Sequence, residues 1–114
     1  MQLAAILFGL AALGGLTMAG IRLKGTPLPP TWLALGHGAI AATGLGVLIY
    51  KSATQSLPTL ALASLCGFVL AALGGATMFV GFHLNGKPLP IPFVLGHGAL
   101  AVTAFVLLLL AIYR

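Results

Sequence analysis

The sequence predicts an all-α integral membrane protein, with four transmembrane helices arranged as two tandem parallel-repeat helical hairpins. Three observations carry this. The 114 residues are 61% hydrophobic and include five Lys plus Arg but no Asp or Glu, a balance foreign to ordinary soluble domains of this size. Four apolar runs come near or exceed the roughly 20 residues a helix needs to cross a bilayer. The second half also repeats the first: LALGHGAIAA at 33–42 returns as FVLGHGALAV at 93–102, and LAALGG at 10–15 returns at 70–75.

The first run, Leu3 to Ile21, has the length of a secretory signal but no basic segment ahead of it. Because its LAALGGLTM recurs in the third run as LAALGGATM, it is assigned to the fold. The connection GIRLKGTPLPP then supplies glycines and prolines that end one helix and restart the next. The second run, Thr31 to Tyr50, carries His37. KSATQSLP joins the two units, with Ser56 as the expected N-cap of the third run, Leu57 to Phe82. Cys66 lies inside that run and is expected only to pack. GFHLNGKPLPI leads into the fourth run, Pro92 to Tyr113, which carries His97. The chain thus forms one four-helix domain over residues 1–114, with repeat 1 at about 3–50 and repeat 2 at about 57–113.

Thr17 and Met18 match Thr77 and Met78 at an offset of 60; Gly20, Gly25 and the PLP at 27–29 match Gly81, Gly86 and 88–90 at 61; GHGA returns to 60. Single-residue adjustments therefore sit in or near the connections. A unit with an even number of spans enters and leaves on one side, so the copies are expected as parallel repeats about an axis along the membrane normal. Small residues recur at helical spacing at Ala12, Gly15 and Ala19, and around the histidines at Ala34, His37, Ala41 and Gly44, and at Val94, His97, Ala101 and Ala104. Such faces let membrane helices approach closely, so each histidine is expected to look inward.

His37 and His97 each fall about six residues into their run, roughly 9 Å deep at the α-helical rise. Two imidazoles at one depth, facing across a central axis, suit axial ligation of haem iron, a coordination that favours electron transfer. Gly36, Gly38, Gly96 and Gly98 would then let a flat ring lie against the backbone, at positions where glycine otherwise weakens a helix. Arg22, Lys24 and Lys87 fall on the connections at the nearer membrane face, where they can pair with haem propionates without competition from protein acids. Thr17 and Thr77 are placed to accept the second hydrogen bond of each imidazole. His83, the counterpart of Arg22, is expected to be an interfacial polar residue.

Other readings attach to the same residues. A membrane histidine can simply hydrogen-bond a neighbouring helix. The glycines can serve packing alone, and the basic residues can be topogenic charges that snorkel to the interface. Met18 and Met78 with the histidines make a soft set suited to copper. Each histidine can instead ligate its own chlorophyll-type pigment, or the chain can be a cofactor-free structural subunit or small transporter. With no carboxylate in the sequence, acid relays and paired-carboxylate catalysis are excluded. The scattered charges point to the lipid bilayer rather than nucleic acid. The expectation is therefore a b-type cytochrome-like subunit holding one haem b, an electron-transfer or accessory protein rather than an enzyme. It would sit in a prokaryotic inner (cytoplasmic) membrane and work with a membrane redox partner, a quinone or a second copy.

Overall fold

A computed structural model describes residues 1–114. Helix α1 spans Gln2–Leu23, α2 Thr31–Thr54, α3 Thr59–Met78 and α4 Ile91–Tyr113, and α3 runs on into a π-helical turn, Phe79–His83. All four helices, counting α3 through His83, are long and apolar enough to cross a membrane. They form a rod of 43 × 21 × 18 Å, as long as a bilayer with its headgroups, about 40–45 Å.

The helix ends follow from local chemistry. Pro30, Pro58 and Pro90 are the N-caps of α2, α3 and α4, each with an extended ψ. Their carbonyls accept the first helical bonds, from Ala34, Leu62 and Val94. A proline there loses nothing by lacking an N–H, since the first donors of a helix have no partner within it. The expected cap at Ser56 is corrected accordingly: α3 begins two residues beyond Leu57, because Pro58 imposes the turn. At the other ends, Gly25 and Gly86 adopt φ of +108° and +65°. Bonds from Thr26 to Ile21 O and from Lys87 to Phe82 O close matching terminal loops, a stop that uses glycine's freedom to enter the left-handed region.

Helix α1 packs chiefly on α2 and α3 on α4, with α1 also meeting α4 and α2 meeting α3. The packed core lies in the half away from the connections. Phe8 and Phe68 stack there, with ring centroids 3.6 Å apart and planes 2° from parallel. Ala4, Leu48, Ala104 and Leu108 close around them. Backbones come close enough that Ser64 Oγ donates to Ala104 O at 2.7 Å, and a Cβ on Gly67 would fall 2.9 Å from the Cβ of Ala104. In α1 and α2 the equivalent contact is Leu7 against Gly44, with a would-be Cβ 3.3 Å from Leu7. Cys66, expected to pack, is exposed on the outside of the bundle.

Candidate functional site

Where the aromatic core ends, toward the connections, the four helices separate around a cavity of about 670 Å³. The Phe8–Phe68 pair lines its inner end; Pro29, His83 and Leu89 line the end at the connections. Its walls include Ala12, Gly15, Ala19, Ala34, Ala41 and Ala101, so the small-residue faces do look inward. They leave space because the side chains that would fill it are single methyls or hydrogens.

His37 and His97 are each the seventh residue of their helix and both reach this cavity. Their ring centroids are 6.2 Å apart, with planes at 77°. His37 Nδ1 lies 2.7 Å from the carbonyl oxygen of Ala11 in α1. A carbonyl can only accept, so Nδ1 carries the proton and Nε2 is left with its lone pair, the tautomer a metal-ligating histidine needs. Ala71, the counterpart of Ala11, lies beside His97 in the same way. His97 Nδ1 nonetheless falls short of hydrogen-bonding geometry and is buried without a partner.

Both rings are seated by glycines of the neighbouring helix, Gly15 from the small-residue face of α1 and its counterpart Gly75 in α3. A Cβ on Gly15 would come within 3.0 Å of His37 Cε1, and one on Gly75 within 3.1 Å of His97 Cε1. The repeated LAALGG thus supplies a flat seat for each imidazole and, in the first copy, the carbonyl that His37 bonds. Its recurrence one helix before each GHGA was the available signal.

The glycines next to the histidines divide. Gly38 and Gly98 line the cavity, and a Cβ at either would meet nothing within 4 Å, as a space for a ring requires. Gly36 and Gly96 are exposed on the other side of their helices; Gly96 lines a separate groove between α3 and α4, and neither belongs to the cavity wall. The threonine expectation is corrected. Thr17 and Thr77 are exposed and donate to Leu13 O and Leu73 O of their own helices, each at 2.8 Å, because a helical threonine finds the carbonyl four residues back more readily than a neighbouring ring. Met18 and Met78 line the cavity.

At the connections, Arg22 Nε donates to Leu89 O at 2.8 Å, and Leu89 N–H donates to Pro27 O at 3.2 Å. The two PLP segments are thereby tied together over the cavity end. Lys24 and Lys87 are exposed on the same connections. His83 lies in the turn at the connection end of α3, only 9% exposed, with its Nε2 3.0 Å from Thr31 Oγ1.

The donor set can be tested against candidate occupants. No group of three or more His, Cys, Asp or Glu comes together anywhere in the chain; His37, His97, Met18 and Met78 are the side chains on this cavity that can ligate a metal through nitrogen or sulfur, with His83 at its end. A metal that brings its own planar ligands needs only two axial donors. Two metal–imidazole bonds of about 2 Å, with about 1 Å more from each nitrogen to its ring centre, require centroids roughly 6 Å apart. The observed 6.2 Å fits. No known protein family, curated protein or solved structure matches the chain.

Proposed function

We propose that the chain is a b-type cytochrome-like membrane subunit that holds one haem b between His37 and His97 and passes electrons. The spacing of the two imidazoles on one cavity carries this reading. The haem, held by His37 and His97, would supply one-electron exchange. The protein's residues do the rest. Ala11 O holds His37 in the tautomer that leaves Nε2 as donor, Gly15 and Gly75 set the height of both rings, and Phe8 with Phe68 excludes water from the inner end.

The repeated sequence supports an arrangement of two parallel hairpins, each giving one ligand from its second helix. A single cavity shared by both histidines favours one cofactor over two separate pigments. The protein would sit in a prokaryotic inner membrane and exchange electrons with a quinone, a membrane redox partner or a second copy.

The absorption spectrum of the purified protein tests it. A sharp Soret band with redox-sensitive visible bands is expected, and His37→Ala and His97→Ala should each convert a six-coordinate low-spin spectrum to a five-coordinate high-spin one or lose haem. Strong red absorption would assign a chlorophyll-type pigment instead. Colourless protein from cells with ample haem would leave a structural subunit or transporter.

A further inference from the structure

Among the groups lining the cavity, His83 is the only ionisable one outside the His37–His97 pair. It sits at the connection end, nine-tenths buried, in the π-helical turn Phe79–His83. Two contacts fix its ring: Phe79 stacks on it with centroids 5.0 Å apart and planes at 21°, and Thr31 at the start of α2 takes Nε2. Nδ1 remains as its uncommitted polar atom. The Thr31 hydroxyl can donate to Nε2, which leaves Nδ1–H to donate to whatever occupies the cavity.

The surrounding charge says what that occupant should present. Arg22, Lys24 and Lys87 stand on the same connections, and the chain has no Asp or Glu to neutralise them. A buried donor at the end of an apolar cavity, on the face whose cations have no carboxylate to pair with, matches a ligand that is apolar through its body and anionic at one edge.

Resting on the haem reading, we propose that His83 is the recognition residue for a free carboxylate on the edge of the bound macrocycle. The site therefore selects tetrapyrroles with free acid side chains over those whose acids are esterified. His83 takes no part in ligating the metal.

Binding of ferric haem and of its dimethyl ester to the detergent-solubilised full chain, followed at the Soret band, tests this. Wild type is expected to bind the acid at least about tenfold more tightly than the ester, as a charge-assisted hydrogen bond would give. His83→Leu should lose most of that preference by weakening acid binding, keep wild-type ester affinity, and retain the six-coordinate spectrum that His37→Ala loses. Because His83→Leu can also disturb the pocket, His83→Gln is measured beside it; equal weakening of acid and ester in both variants would mean that His83 only packs, and would overturn the assignment. Equal affinity of wild type for the two compounds overturns it as well. So does a preference that survives in both variants, which would belong to Arg22 and the lysines. Uptake of neither compound by wild type sinks the haem reading itself.

Discussion

The imidazoles are held as much by what is missing opposite them as by what they touch. Gly15 and Gly75 present bare backbone to Cε1 of His37 and His97, and the Ala11 carbonyl lies 2.7 Å from His37 Nδ1. Gly15→Ala and Gly75→Ala should therefore push the rings a few tenths of an ångström toward the cavity centre, at a cost of roughly 1 kcal/mol. Gly36→Ala, where a Cβ meets nothing within 4 Å, should cost nothing and can add roughly a few tenths of a kcal/mol through better helix propensity. Thermal melting and cofactor occupancy in detergent check the contrast: both fall for the first two variants and hold for the third. An occupancy loss confined to Gly36→Ala would reverse the assignment of roles. The GHGA glycines stood out in the sequence because they flank the histidines, but a residue adjacent on a helix points about 100° away. The seat comes from another helix.

The offsets between the repeats acquire a physical cause in the elements. The shift from 60 to 61 falls between Met78 and Gly81, where α3 passes into the π-helical turn with Leu84 N–H bonded to Phe79 O at 2.9 Å. A π turn is how a helix absorbs one extra residue without turning its two ends out of register. The return to 60 lies at Pro29–Pro30, where the first connection has one proline more. Each copy thus carries one extra residue at a different place, and the histidines regain equal depth. Helix contacts are less forgiving. Gly67→Ala would place a Cβ 2.9 Å from that of Ala104, with backbone behind both and no flexible end to yield. It should destabilise the α3–α4 pair by about 1–3 kcal/mol, read as a lower melting temperature, whereas a melting temperature at or above wild type would show that the two helices pack less tightly.

Across the whole molecule, packing and function are divided along the rod. Aromatic and leucine side chains fill the half away from the connections, while alanines and glycines line the half that holds the cavity. Charge is distributed along the same axis. Arg22, Lys24 and Lys87 lie at the connection face, against the side chains of Lys51 and Arg114 at the other. The excess favours a cytoplasmic connection face, with residue 1 and residue 114 on the far side. A C-terminal reporter fusion should then be active only outside the cytoplasm, and activity inside would invert the assignment. In that orientation the His37–His97 cavity lies nearer the cytoplasmic face, with the Phe8–Phe68 pair between it and the opposite one.

The sequence alone determined the membrane class, the four spans, the inward histidine faces and the equal depth of the histidines. Each of these depends on composition or on periodicity along one helix. It did not reveal the Gly15 and Gly75 seats, the Ala11 carbonyl as the partner of His37, the burial of His83 against Thr31, or the outward turn of Gly36, Thr17 and Thr77. Those depend on the rotation of one helix against its neighbour, and in a bundle lined by alanine and glycine many rotations satisfy the same apolar pattern. Only tertiary contacts such as Gly67 on Ala104 and Leu7 on Gly44 select among them, because steric exclusion between helices acts at distances that no single helix encodes.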